Sequence, residues 1–288
     1  METIALPKLP VRKADTHKGD YGKVLIIAGS ETMIGAPALV GLGALRAGAG
    51  LVRIATPKEI LPAVLTICPY ATGFAWSATK IKDLLAFAEE HDVLAVGPGL
   101  GLSSAVRRLI LELLERHHGP MVFDADALNV LSGLETSDWP KRRNWGNVVL
   151  TPHMGEYMRL MAAVMKRGAN VALSPEAAGK NVPSEEAPEN GKNTRSLVDE
   201  PDDAPSTADG MALELPEEAA PVEAVKPENP APAEPDRTPL AELLARGTGS
   251  IVVLKGQRTV WFDGARGAVN QSGNPAMATG GAGDVLTG

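Results

Sequence analysis

Gly22-Lys23-Val24-Leu25-Ile26-Ile27-Ala28-Gly29 is a short, continuous apolar run closed at both ends by glycine. A half-exposed strand would alternate polar and apolar residues, and this run does not, so it reads as a parallel strand buried on both faces. Such strands need helices over them, and the rest of the chain supplies them in alternation. Residues 30–35 make a turn and 36–49 are small and helical in pattern. Gly41, Gly43 and Gly48 interrupt that helix, each at about 1 kcal/mol against alanine, and close approach of the helix to the sheet is the expected compensation. Further strands are predicted at 51–56, 91–96, 121–124 and 148–151, with helices at 80–90, 103–117 and from 154 to about 166. Between 57 and 76 the pattern gives a short helix and then a loop or edge strand, and 17–22 reads as a loop. The fold class is therefore α/β, a doubly wound, mostly parallel sheet with helices on both faces, three layers in all. Ligands of such sheets lie outside the carboxyl ends of the strands. Here those ends are 29–36, 97–101, 124–129 and 151–156.

Downstream the pattern breaks. Between 171 and 240 stand 12 of the chain's 23 prolines and no aromatic residue, too little apolar surface to offset the entropy of ordering. Residues 171–239 are thus expected to be a disordered acidic insertion, with 1–170 and 240–288 forming one catalytic domain. The stretch 171–240 holds 16 Asp or Glu against 5 Lys or Arg, so the overall net charge of −7 conceals a remainder of +4. That mildly basic remainder suits a small anionic ligand, and the absence of a Lys/Arg cluster with interleaved aromatics argues against nucleic acid. The single cysteine, Cys68, excludes an intramolecular disulfide and fits a reducing, cytoplasmic setting. No apolar run approaches membrane-spanning length. Order resumes with a helix at 239–246 and strands at 251–255 and 259–263, joined tightly through Gly256, Gln257 and Arg258.

The most distinctive stretch is the last one, Asn274-Pro-Ala-Met-Ala-Thr-Gly280-Gly-Ala-Gly-Asp284-Val-Leu-Thr-Gly288. Gly280, Gly281 and Gly283 let a backbone approach an anion and present N–H donors to it at a helix start. Asp284 would repel that anion. Either it caps a helix after a flexible turn, or it takes a proton from a hydroxyl while the amides stabilise a transferring phosphoryl group. No G-x-x-x-x-G-K-[ST] sequence occurs, which argues against a classical P-loop. Asp124 and Asp126 read as Mg²⁺ ligands through water or as helix caps. His153 reads as a base, a substrate contact or a helix-start residue, and Lys255 as a phosphate contact or a solvated lysine. A helix of four or five residues is marginal, so the chain is expected to continue beyond Gly288.

Taken in order, 17–22 (HKGDYG), 97–101 (GPGLG), 124–129 (DADALN), 151–156 (TPHMGE), Lys255-Gly256 and 273–284 resemble the ADP/ATP-dependent NAD(P)H-hydrate dehydratases of the ribokinase-like superfamily. The resemblance covers about 11–166 and 239–288. It implies a reaction in which the hydroxyl added to a hydrated nicotinamide is phosphorylated from ADP or ATP and phosphate is then eliminated. Carried over, Ala36, Gly99, Gly101, His153 and Asp284 would bind NAD(P)H hydrate. Lys255, Gly256, Gln257, Arg258, Thr259, Gly280, Gly281 and Gly283 would bind the nucleotide. Asp284 would be the catalytic base; Asp124, Asp126, Asn129 and Glu156 would support it. No direct protein metal site is implied, Mg²⁺ arriving with ADP or ATP as co-substrate. A homo-oligomer and a separate NAD(P)H-hydrate epimerase in the same pathway are the implied partners. Where the family has a shorter helical segment, this chain has the acidic insertion. Family members continue past the equivalent of Gly288, and some carry an epimerase domain in front.

Two other readings compete. A ribokinase-like kinase of a vitamin precursor, such as a hydroxymethylpyrimidine or hydroxyethylthiazole, would share the glycine loop and Asp284 but release a phosphorylated product. A catalytically silent nucleotide-binding or scaffold protein would use the acidic segment for recruitment.

Overall fold

The computed structural model describes residues 11–134, 145–168, 236–274 and 277–288. The expected acidic insertion lies outside them as far as residue 235. The apolar run forms β1 (Lys23–Ile27), followed by α1 (Gly35–Ala47), β2 (Leu51–Pro57), α2 (Leu61–Ile67), β3 (Thr72–Trp76), α3 (Ile81–Ala88) and β4 (Val93–Val96). Next come α4 (Ser104–Arg116), β5 (Met121–Phe123), α5 (Asp126–Ser132), β6 (Val148–Leu150) and α6 (Met154–Gly168). The last elements are α7 (Thr238–Thr248), β7 (Ile251–Leu254), β8 (Val260–Phe262), β9 (Gly267–Val269) and α8 (Ala282–Thr287). They build one sheet in the order β3-β2-β1-β4-β5-β6-β7-β8-β9. Pairing is parallel from β3 through β7 and antiparallel at β7–β8 and β8–β9.

Alternation along the strands sorts the core onto two faces. Ile26, Ala28, Ile54 and Ala95 pack with Ala38, Val40 and Ala44 of α1 and Val64 of α2. Leu25, Ile27, Leu94, Val96, Phe123 and Leu150 meet apolar residues of α3, α4, α5, α6 and α7 on the other face. This is the three-layer α/β arrangement, and period-two burial on each strand produces it. Strand order reverses between β1 and β4, where the connections leave to opposite faces and open a crevice. Among the described residues no helix is long and apolar enough to cross a membrane.

The helix glycines have distinct uses. A Cβ on Gly41 would lie 3.1 Å from Ile54 and 3.0 Å from the Cys68 sulfur, so this glycine does bring α1 close to the sheet. Gly43 serves a different approach, since a Cβ there would come within 2.5 Å of the Val285 carbonyl oxygen in α8. Packing on α1 explains how α8, a helix of 6 residues, forms at a length that is marginal in isolation.

Two local readings need correction, and a third is resolved in favour of one of its alternatives. Residues Lys18–Tyr21 form a 3₁₀ turn in place of a loop, closed by the His17 N–H donating to Asp20 at 2.8 Å. It precedes β1, with Gly50 N–H on the Tyr21 carbonyl and Leu51 N–H on that of Gly22. The 17–22 motif thus sits at the amino ends of the strands, away from the expected ligand end. Strand β9 was not foreseen; it is three residues long with one alanine and one glycine, too short to carry a periodic signal. The 57–76 ambiguity resolves into α2 and the edge strand β3, which among the described residues pairs only with β2.

Candidate active site at the carboxyl ends of the strands

The crevice between β1 and β4 is closed at its base by backbone, the Gly29 N–H donating to the Pro98 carbonyl at 2.8 Å. Ala36, 3% exposed, lies in the first turn of α1 on one wall. On the other runs the loop 97–101, whose three glycines all have positive φ: Gly97 131°, Gly99 67° and Gly101 75°. A Cβ on Gly99 would press into Met33 at 2.6 Å and meet that of Ala36 at 3.4 Å, so the two predicted hydrate contacts are neighbours. Gly101 N–H donates to Asp126 Oδ2 at 2.8 Å. Asn129 Nδ2 reaches Asp126 Oδ1 at 3.3 Å, and Arg159 of α6 donates to Asn129 Oδ1 at 2.9 Å. Asp126 and Asn129 therefore hold the glycine loop in place.

Gly97 is the tightest point of this wall. Its Cβ would overlap the Asp124 carbonyl oxygen, at a φ that an L side chain rarely adopts. Gly97→Ala is expected to cost about 2–3 kcal/mol, lowering Tm by about 5–10 °C in thermal unfolding. An unchanged Tm would mean that the loop relaxes freely.

His153 and Glu156 begin α6 as a reciprocal cap. His153 Nδ1 accepts from Gly155 N–H at 3.0 Å, while Glu156 Oε2 accepts from His153 N–H at 2.8 Å. This is the capping-box geometry, with the ring in the serine's place. The Nδ1 acceptor role assigns the ring proton to Nε2, 3.5 Å from Glu156 Oε1. His153 is 56% exposed and Glu156 only 6%, so an open ring stands on a buried carboxylate at the start of α6.

At the centre lies Asp124, 1% exposed. Its Oδ1 pairs with Lys255 Nζ at 2.5 Å, and its Oδ2 accepts from Thr287 Oγ1 at 2.7 Å. Glu156 Oε2 lies 3.9 Å from the same ammonium. Lys255 follows β7, its N–H on the Pro152 carbonyl at 2.8 Å, and it is neither solvated nor free. The tight connection predicted after it is confirmed as the β7–β8 hairpin, with Arg258 at φ 54° and Thr259 Oγ1 on the Gly256 carbonyl at 2.9 Å. Arg237 supports this hairpin by donating to the Lys255 carbonyl at 3.1 Å.

The glycine stretch completes the site from the α1 side. Gly281, at φ 86°, caps α8, and a Cβ there would meet Leu39 at 2.6 Å. One on Gly283 would lie 3.5 Å from Lys255 Nζ and 3.9 Å from Asp124 Oδ2. Asp284 follows in the first turn. Burial pushes its carboxyl above the ordinary carboxylate range; the charge of Asp124 adds to the rise and Lys255 opposes it. A carboxylate held proton-hungry beside a lysine and a glycine loop can take a proton from a hydroxyl.

Sequence reasoning missed Thr287, Arg159 and Arg237. Each acts through contacts at sequence separations of 163, 30 and 18 residues, and no local spacing signals them.

A profile described as NAD(P)H-hydrate dehydratase matches residues 24–182 and 222–288. A bifunctional NAD(P)H-hydrate repair enzyme of Pyrobaculum aerophilum is 34% identical over 284 residues, covering 96% of this chain and 42% of its own length. The ADP-dependent (S)-NAD(P)H-hydrate dehydratase of Bacillus subtilis is 38% identical over 152 residues, 53% of this chain and 51% of that protein. This chain thus spans about half or less of the length of these relatives. Among solved structures, the Bacillus subtilis ADP/ATP-dependent NAD(P)H-hydrate dehydratase co-crystallised with ATP/Mg²⁺ superposes with a TM-score of 0.62 at 28% identity, over 97% of this chain and 74% of that one. A ribokinase-like superfamily protein of Enterococcus faecalis shares the fold, with a TM-score of 0.64 at 21% identity over 96% of this chain and 72% of that one. The chain belongs to the NAD(P)H-hydrate dehydratase family.

Proposed function

We propose that this chain catalyses the ADP- or ATP-dependent dehydration of hydrated NADH or NADPH, returning the reduced cofactor. The observation that carries the reading is the position of Asp284, half-buried at the start of α8, beside the Lys255–Asp124 pair and against the glycine stretch. The hydrate binds between Ala36, Gly99, Gly101 and His153. The nucleotide binds along Lys255–Thr259 and Gly280, Gly281 and Gly283. Asp284 takes the proton of the ring hydroxyl, whose oxygen attacks the terminal phosphorus while the nucleotide leaves one phosphate shorter. Phosphate then departs with the electron pair of the carbon–oxygen bond, and loss of a proton from the adjacent carbon restores the ring double bond. Positioning and charge stabilisation supply most of such a barrier reduction.

In this reading Mg²⁺ enters with the nucleotide phosphates, and no protein side chain is assigned to it. The proposal includes a cytoplasmic setting, a homo-oligomer, one catalytic domain drawn from 1–170 and 240–288, and a separate epimerase supplying the reactive hydrate epimer.

The test follows the reduced-nicotinamide absorbance. Hydrated NADH, given with ADP or ATP and Mg²⁺, is expected to recover that absorbance in proportion to nucleotide consumed. Absence of recovery with both nucleotides would sink the dehydratase reading, and accumulation of a stable phosphorylated hydrate would recast the chain as a kinase.

A further inference from the structure

Helix α8 carries Asp284 into the site and lies close on α1, a Cβ on Gly43 reaching within 2.5 Å of the Val285 carbonyl oxygen. Val285 and Leu286 are 47% and 51% exposed, and the buried side chain of the helix is Thr287. A buried hydroxyl needs a partner. Thr287 Oγ1 lies 3.0 Å from the Gly283 carbonyl, the usual back-bond of threonine in a helix, but it is closer to Asp124 Oδ2 at 2.7 Å. It has one proton, and the charged acceptor makes the stronger bond. The other oxygen of Asp124 is taken by Lys255. A single buried carboxylate after β5 thus joins α8 to the end of β7.

Asp284 and Thr287 are three residues apart and share a helix face. Fixing Thr287 therefore fixes the rotation of α8 about its axis, and with it the direction of the Asp284 carboxylate. The backbone beside Asp124 is itself held in a rare conformation, Ala125 standing at φ 48° and ψ −116°, which persists only where surroundings determine it. We propose that Asp124 and Thr287 form a clamp that aims Asp284 at the substrate hydroxyl. The proposal rests on Asp284 being the base. Asp124 and Thr287 are positioning residues, since both Asp124 oxygens are engaged within the protein.

Two variants of the full chain separate the clamp from mere packing. Thr287→Val removes the hydroxyl at nearly constant volume and Thr287→Ser keeps it. Thr287→Val is expected to lower kcat on the order of 10²-fold, as a shift of about 1 Å does, with KM for ADP little changed. Thr287→Ser should restore turnover. Hydrogen exchange at the Val285 and Gly288 amides reads the clamp without turnover, and should quicken in Thr287→Val alone. In Asp124→Asn the acid limb of kcat/KM should move to lower pH. The charged groups facing Asp284 are Asp124 after β5 and Lys255 after β7, while α1 has only Arg46, in its last turn. Unchanged exchange in Thr287→Val, or faster exchange with unchanged kcat, overturns the clamp. Should the wild-type chain fail to restore hydrated NADH, the exchange comparison still decides the clamp and the dehydratase reading alone falls.

Discussion

Asp284→Asn is expected to lower kcat by about 10²–10⁴-fold, the range for removing a general base, while ADP binding persists. The amide keeps the shape and burial of the carboxylate but takes up no proton at neutral pH, so the loss should fall on kcat with KM for ADP nearly constant. The pH dependence has a defined sign. Burial and Asp124 hold the Asp284 carboxyl above the ordinary range, and the base works only when deprotonated. Activity should therefore fall as pH drops toward that raised value, from a higher pH than an exposed aspartate would give. Stability runs the other way. An acid whose folded-state pKa is raised destabilises the fold above its unfolded value, as the charged form is disfavoured inside. Removing the charge should leave the protein at least as stable at pH 7, and less different below pH 4. Steady-state kinetics across pH, ADP titration and thermal unfolding at both pH values check the three parts. Wild-type kcat in this variant would remove Asp284 as the base.

That carboxylate was legible in the sequence because it directly follows a glycine cluster, a local signal. The sheet was legible for a similar reason: β1 is a continuous apolar run after Lys23, β2 is apolar apart from Arg53 and Thr56, and helices of adequate length separate the strands. Residue types also placed Ala36, the 97–101 loop, His153 and Lys255 at strand ends, and parallel pairing brings all those ends to one edge. What spacing could not give is the partner of each group. Lys255 and Asp124 are separated by 131 residues, and only the order β5-β6-β7 makes them neighbours. His153 doubled as ligand candidate and helix start, and the capping bonds show the second role without removing the first. The 17–22 motif, to which the sequence gives a loop and no site role, stands apart. Its polar residues look chemical, yet it lies at the amino ends of the strands, beyond the reach of the site's edge.

Lys255→Met is expected to be the most destabilising single change in the site. The Asp124 side chain is 2% exposed and that of Lys255 16%, so removing the ammonium leaves a carboxylate buried beside Glu156 and Asp284 with only Thr287 to satisfy it. Breaking a buried pair from one side costs about 3–5 kcal/mol, which for a folding unit of this size lowers Tm by about 10–15 °C. Surface pairs such as Arg108–Glu112, where the arginine is 59% exposed, should cost under about 1 kcal/mol on the same change. The double variant Lys255→Met/Asp124→Asn distinguishes an unpaired charge from lost packing. An amide with no ammonium opposite leaves no bare charge in the interior, and it still accepts from Thr287. Much of the lost stability should return, giving a coupling well above 1 kcal/mol in a double-mutant cycle. Turnover should not return with it, because the lysine beside Gly283 is gone from the phosphoryl path. Additive losses would mean that Lys255 contributes by packing its stem, and that the 2.5 Å contact carries little of the fold. Restored turnover would instead place the transferring phosphate on the backbone amides of Gly280, Gly281 and Gly283 alone.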